Sequence, residues 1–148
     1  MSPHFGLMDA GRMSKVEAML MRSKLHLRCG KRRLRQGKVA AGLATLYDAM
    51  LSGMRWYILV NLRQTLVEDA LEELENERLV FSVLKRAGVL DNTFNLARFQ
   101  ELVDRALMDE EIETDAEQVI AELETFMTRI GVLPFNEEEL PPEDPDTF

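Results

Sequence analysis

The sequence has one cysteine, no long apolar run and no leader-like start, and each absence narrows the class of protein. Because Cys29 stands alone, an intramolecular disulfide is excluded, and the fold must rely on its core, as suits a reducing compartment. The longest apolar run, residues 56–60, is far shorter than the about 20 residues that cross a bilayer. The first nine residues lack the basic-then-apolar pattern of a signal peptide. We therefore expect a cytoplasmic protein with no membrane partner.

Side chains for acid–base or nucleophilic catalysis are also scarce. The two histidines are His4 and His26, and a helical histidine such as His26 is more often a surface or interfacial residue than a catalyst. The basic neighbours Arg28 and Lys31 could lower the pKa of the Cys29 thiol, but no second cysteine or His–Asn pair accompanies it, which favours a plain buried or semi-buried thiol. Nucleophile-elbow, phosphate-loop and dinucleotide motifs are absent. We predict no catalytic residue and no cofactor.

Metal binding would have to use carboxylates. Glu68, Glu72 and Glu75 share one face of a predicted helix. A di-iron bundle also needs Glu-x-x-His pairs, which this sequence lacks. We interpret the three glutamates as a solvated face and predict no metal site.

Charge is unevenly distributed along the chain. The first 38 residues carry ten Lys/Arg against two acids, and the other 110 carry eight against twenty-four, so a +8 segment precedes a −16 body in a chain of net charge −8. The positive charge is concentrated in one basic segment, whose members are Arg28, Lys31, Arg32, Arg33, Arg35 and Lys38. Clustered arginines can grip phosphates, which makes this segment a candidate anion or nucleic-acid contact. Because no aromatic residue interleaves it and the chain is acidic, a solvated helix end or pairing with acidic surfaces of this fold or its dimer mate is the favoured interpretation.

Helical periodicity organises the chain into one domain. Ser14 and Glu17 form a capping box that opens a first helix, which the pattern ends near Gly30; the basic segment then follows as a joint or a helical continuation. A second helix is predicted from Val39 to about Asn61. No sustained strand alternation is present. The sequence predicts an all-α, up-and-down antiparallel bundle of four to five helices.

The later segments follow the same periodicity. An apolar stripe runs over residues 62–87 with a charged step at 75–78, and Gly88 is a plausible stop. Asn95 is the predicted N-cap of a helix whose inner face ends in Leu107, and Thr114 opens the capping box of the last helix, which Gly131 ends. The residues predicted to be mostly buried are Leu46, Tyr47, Met50, Met54, Phe99, Val103, Ile120 and Leu123.

Domain boundaries follow from composition. We predict a disordered lead-in over residues 1–12, a single helical-bundle domain over 13–133 and an acidic, proline-rich tail over 134–148. Four of the five prolines lie in the tail, which we expect to be disordered or extended and dispensable for stability. Phe135, Leu140 and Phe148 are the tail positions that could dock on the body.

Residues 46–55, Leu-Tyr-Asp-Ala-Met-Leu-Ser-Gly-Met-Arg, resemble the core helix of the HEPN family of helical-bundle proteins. The resemblance implies an antiparallel bundle that is often dimeric; many members are ribonuclease toxins or partners of nucleotidyltransferases. The nuclease signature, an Arg followed by a His late in the chain, has no counterpart after His26. No catalytic residue is therefore carried over, and the resemblance implies a member without nuclease activity.

These observations favour a non-enzymatic interaction or regulatory protein that acts by self-association, as a homodimer, or by binding another protein. Leu51, Trp56 and Leu59 lie off the main stripe of the second helix and could be buried against a second copy. The alternative is a nucleic-acid-binding module that uses residues 28–38. A third hypothesis is a HEPN-like ribonuclease with a displaced active site.

Overall fold

The computed structural model describes residues 14–63, 74–108 and 112–147. No strand occurs within these ranges. They contain five α-helices, namely α1 (Lys15–Arg35), α2 (Val39–Asn61), α3 (Glu77–Arg86), α4 (Leu96–Leu107) and α5 (Ala116–Arg129). The predicted all-α class is therefore confirmed, with helices packed on helices. The predicted lead-in over 1–12, together with Glu68, Glu72 and Phe148, lies outside the described residues. Among the helices described, none combines the length and apolarity needed to cross a membrane.

The first helix begins where the capping box predicts but does not end at Gly30. Ser14 Oγ accepts the Glu17 amide at 3.1 Å, and α1 continues to Arg35. Gly30 is a contact point instead, because a Cβ there would lie 2.7 Å from the Leu46 side chain of α2. The predicted end near Gly30 is wrong because the missing side chain admits a neighbouring helix. The basic segment is consequently helical as far as Arg35.

α1 and α2 form the most extensive helix pair in the described ranges. They are joined by a tight turn in which Gly37 adopts a φ of +79°, and α2 spans the residues predicted for it. At Gly42 a Cβ would stand 2.8 Å from the Leu34 backbone nitrogen. The close approach of these two helices thus depends on the absence of side chains at Gly30 and Gly42.

The later helices also begin at side-chain caps. Asn95 Oδ1 accepts the Arg98 amide at 3.0 Å, as predicted. The cap of α5 is Asp115, whose Oδ1 accepts the Gln118 amide at 3.2 Å. The assignment to Thr114 is therefore off by one residue, since the carboxylate next to it takes the free amide.

The glycines that end α3 and α5 are as predicted, and the core follows the predicted pattern with two exceptions. Gly88 and Gly131, with φ of +75° and +89°, follow the ends of α3 and α5. Of the eight predicted core residues, seven are buried and Tyr47 is partly buried, its hydroxyl donating to Glu77 at 2.9 Å. Leu107 is 64% exposed, contrary to prediction, because it is the last residue of α4. Leu51 is buried within the single chain, which removes it from any apolar surface left for a second copy.

The acidic tail is packed on the bundle. Two short 3-10 helices, Glu137–Glu139 and Pro145–Thr147, shape it. Leu140 is buried and Phe135 packs partly against the core. The described residues of the tail are therefore packed against the bundle, contrary to the expectation of disorder, while Asn136 and Leu140 have the extended backbone angles that the other expectation allowed. A few apolar side chains and charge complementarity to α1 compensate for a composition that otherwise disfavours order.

Candidate functional site

The helical basic segment sorts its six predicted side chains into two groups. Spacings of three and four residues place four of them on one side of α1, hereafter the basic face: Arg28, Lys31, Arg32 and Arg35. Arg33 instead donates to Thr45 Oγ1 of α2 at 2.9 Å. Lys38 is exposed and precedes the first residue of α2. The structure thus brings four of the six candidates together.

The acidic tail lies on the basic face. Arg28 Nη2 donates to the Pro141 carbonyl at 2.6 Å. Arg32 binds the Glu143 carboxylate through Nε at 3.1 Å and Nη2 at 3.3 Å. This is a two-point guanidinium–carboxylate contact, the strongest geometry available to such a pair.

Two further contacts hold the start of the tail. Lys31 Nζ lies 3.1 Å from Glu137 Oε1. Lys24 Nζ, about two turns before Lys31 on α1, stands 5.6 Å from the centroid of the Phe135 ring, a favourable cation–π distance. Charged side chains of α1 therefore contact the tail from Phe135 to Glu143.

Acids of α5 border the same face. Arg35 Nε donates to Glu117 Oε1 at 2.8 Å, and the pKa of Glu117 lies below its ordinary value because of this hydrogen bond. Lys31 Nζ is 3.6 Å from Glu124 Oε2. The Arg35–Glu117 pair is exposed and contributes little to stability. The effect of this pair is mainly electrostatic, since α5 places negative charge beside the basic side chains of α1.

Solvent exposure separates these pairs energetically. The side chains of Arg32 and Glu143 are only 18% and 12% exposed. A partly buried, two-point pair is screened less by water and salt than an exposed one. Arg32–Glu143 is therefore the ionic contact that matters most between the tail and α1.

Cys29 lies beneath this face and is fully buried. Burial raises the pKa of its thiol, although the neighbouring charges of Arg33 and Arg32 oppose the shift. Arg32 Nη2 also donates to Cys29 Sγ at 3.3 Å. The arrangement suits a packing residue rather than a reactive thiolate.

A second polar cluster joins α1 to α2, and its central residue was not among the sequence candidates. Asp48 accepts Arg22 Nε at 2.9 Å and Nη2 at 3.0 Å, and its Oδ2 contacts His26 Nδ1. Ser52 Oγ lies 3.4 Å from the same carboxylate. The sequence feature that could have identified Asp48 is that it is the one acid within the 23 residues of α2.

Asp48 is ionised in this setting. Burial pushes its pKa upward, but the hydrogen bonds from His26 and Arg22 outweigh burial, so the pKa of Asp48 lies well below its ordinary value. His26 itself is 5% exposed. A buried imidazole that contacts a carboxylate on the next helix is placed to fix the α1–α2 pairing.

An open groove lies beside this cluster. Its lining includes Lys15, Arg22 and Arg55 together with Ser52 and Glu75. Arg55 already donates to the Leu74 and Glu75 carbonyls at 2.8 and 3.1 Å. The guanidinium groups of Arg22 and Arg55 are therefore already hydrogen-bonded to acceptors within the chain.

No group of three or more metal-binding side chains occurs in the part of the chain that the structure describes. Comparison with protein-family models, curated proteins and solved structures yields no match to this chain. The case for a function therefore depends on the two polar clusters and the surfaces around them.

Proposed function

We propose that this chain is a non-enzymatic interaction protein whose binding surface is the basic face of α1 and whose ligand is an acidic, leucine-bearing protein segment. The observation that carries the proposal is the two-point contact of Arg32 with Glu143, next to the Arg28 contact with Pro141. These side chains already recognise a peptide of that composition. The placement of His26 and Cys29 inside the bundle supports a binding role over a catalytic one.

Acidic protein is favoured over nucleic acid as the ligand because of the border of the face. Glu117 and Glu124 stand beside Arg35 and Lys31, where they would repel a continuous run of phosphates. A peptide can alternate its charges with apolar residues and avoid them. Leu140, buried between Glu137 and Glu143 along the tail, provides such an apolar anchor.

The nucleic-acid module remains the second candidate, because the guanidinium fork that holds Glu143 fits a phosphate equally well. The HEPN resemblance of residues 46–55 is retained as a proposal about ancestry. It is compatible with either ligand.

Fluorescence anisotropy with two probes tests the proposal. The full chain carrying Glu137→Gln and Glu143→Gln loosens its own tail, so a labelled peptide of residues 135–148 should bind it about 10-fold or more tighter than it binds the unmodified chain. Affinity should fall as salt rises. The matched control adds Arg28→Gln and Arg32→Gln to the same variant, which should abolish binding.

The second probe is a labelled 20-nucleotide RNA under the same conditions. Peptide binding that the arginine substitutions remove, with weaker RNA binding, supports the proposal. RNA binding tighter than peptide binding would instead support the second candidate, a nucleic-acid-binding module that uses the basic face. Failure of both probes to bind the loosened variant would refute the proposed function altogether.

A further inference from the structure

We infer that the basic face of α1 also accepts the acidic tail of a second copy of this chain, so that two copies associate by exchanging tails. The inference rests on the proposed function, because it names the partner that supplies the acidic segment. It assigns the self-association surface to α1 and the tail.

The tail fits the face through a short series of side-chain contacts. Glu137 meets Lys31, the Pro141 carbonyl meets Arg28 and Glu143 meets Arg32. Leu140 is buried between the first and last of these contacts along the chain. None of them depends on whether the tail belongs to the same copy, so an exchanged pair keeps them all.

The connection between α5 and the tail can turn only after Leu133. Val132 is buried, and its amide and that of Leu133 donate to the Met127 carbonyl of α5, whereas Pro134 and Asn136 are exposed at the start of the tail. A change of backbone angles over residues 134–136 would redirect the rest of the tail to another copy without disturbing α5. Exchange of this kind forms dimers at low energetic cost because no new interface has to be built.

Protein concentration decides whether the tail binds α1 of its own copy or α1 of a second copy. A tail attached to its own bundle meets α1 at an effective concentration on the order of millimolar, so it dominates in dilute solution. Exchange should therefore increase with protein concentration. It should increase further when the contact within one copy is weakened and the contact between copies is not.

Zero-length crosslinking of the unmodified chain provides the first test. Equal amounts of ¹⁵N-labelled and unlabelled protein are mixed at millimolar concentration and treated with a carbodiimide, which joins amines to carboxylates in contact. Exchange places the Lys31 of one isotope against the Glu137 of the other, so mixed-isotope Lys31–Glu137 products should appear and should diminish on dilution. The built-in control is the Lys31–Glu124 pair, 3.6 Å apart. Since α5 does not exchange, this product should stay within one isotope.

A charge-swapped pair of variants provides the second test. Arg32→Glu and Glu143→Arg each place like charges together within one copy, but in a tail-exchanged heterodimer both contacts become complementary. Each variant alone should therefore remain at the monomer mass of 17.0 kDa, and their mixture should move to twice that mass in light scattering. The double variant Arg32→Glu/Glu143→Arg restores the contact within one copy and should stay monomeric.

The outcomes are decisive in both directions. Mixed-isotope products at Lys31–Glu137 alone, together with dimers only in the mixture, establish tail exchange. Single-isotope products at every concentration, or dimers formed by one variant alone, overturn it. If the peptide binds the loosened variant but no mixed-isotope product forms, the inference fails and the proposed function stands.

Discussion

Arg32 and Glu143 are 111 residues apart in the sequence, yet they form a two-point ion pair with nitrogen–oxygen distances of 3.1 and 3.3 Å. The pair connects the helix that opens the described chain to the tail that closes it. Its position explains how a strongly basic segment and a strongly acidic body coexist in one molecule. Part of the imbalance is resolved inside the fold, on the basic face of α1.

The tail should contribute measurably to stability. Leu140 is buried, and removing most of such a side chain costs about 1–3 kcal/mol, so Leu140→Ala should lower the melting temperature by roughly 3–8 °C in a chain of this size. Differential scanning calorimetry measures the change. Glu138→Ala alters an exposed residue of the 3-10 helix that Leu140 caps and should leave the melting temperature nearly unchanged. Equal melting temperatures for both variants would show that the tail is dispensable.

Gly42→Ala should destabilise the protein although alanine is the better helix former. Propensity alone favours alanine by about 1 kcal/mol. The new Cβ would lie 2.8 Å from the Leu34 backbone nitrogen, and relieving such a clash costs about 1–3 kcal/mol. Urea unfolding gives the sign of the change, and Ala41→Gly at the adjacent exposed position calibrates the propensity. A stabilised Gly42→Ala variant would contradict the close α1–α2 approach.

Asp48→Asn should lower stability most at neutral pH. The substitution leaves Arg22 and His26 without their carboxylate, which costs about 3 kcal/mol in buried pairs and less here because Arg22 is partly exposed. Since the pKa of Asp48 in the folded chain lies below its ordinary value of 3.8, its contribution is fully present above about pH 4 and is lost as the pH falls below that.

Unfolding free energies from pH 2.5 to 7 measure this effect. The difference between the unmodified chain and Asp48→Asn should be constant above about pH 4 and shrink below it. Asp91, exposed and with its pKa lowered to about 2 by hydrogen bonds from Thr93 and Arg129, is the matched control. Asp91→Asn should have the smaller effect at neutral pH. A pH-independent difference for Asp48→Asn would exclude the carboxylate as its cause.

The Cys29 thiol should react slowly in the folded protein. It is fully buried, and burial raises its pKa, so both access and thiolate fraction are reduced. Labelling with a thiol reagent at pH 8 should be at least about 100-fold slower than in denaturant, because it requires local or global opening. Rapid labelling without denaturant would place the thiol at the surface. Cys29→Ser should abolish labelling under both conditions.

Several elements could be predicted because their signals are local. The Ser14 and Asn95 caps, the extent of α2 and the glycines after α3 and α5 depend on residues within a few positions of each other. The predictions at Gly30 and Thr114 were wrong for different reasons. A glycine can end a helix or admit a neighbour, and only the position of Leu46 decides between these roles. At Thr114 two adjacent residues could each cap α5, and the choice depends on backbone geometry.

The candidate site was only partly predictable for the same reason. The sequence identified all four members of the basic face, but it could not separate them from Arg33 and Lys38 before the register of α1 was known. Asp48 could not be identified from local sequence signals because its partners, Arg22 and His26, lie on another helix. Its position as the one acid within α2 is the sequence feature that distinguishes it.

Local signals in the sequence were enough to predict the helical class, most helix boundaries, the main core residues and the concentration of positive charge near the first helix, because periodicity and capping act between neighbours in the chain. Contacts between groups that are far apart in the sequence depend on the tertiary fold. It continued α1 through Gly30, paired Asp48 with α1 and placed the acidic tail on Arg28, Lys31 and Arg32. Composition predicted a disordered or extended tail because its acids and prolines gain little alone. Against a complementary basic face, with Leu140 buried, the described residues of the tail are packed on the bundle.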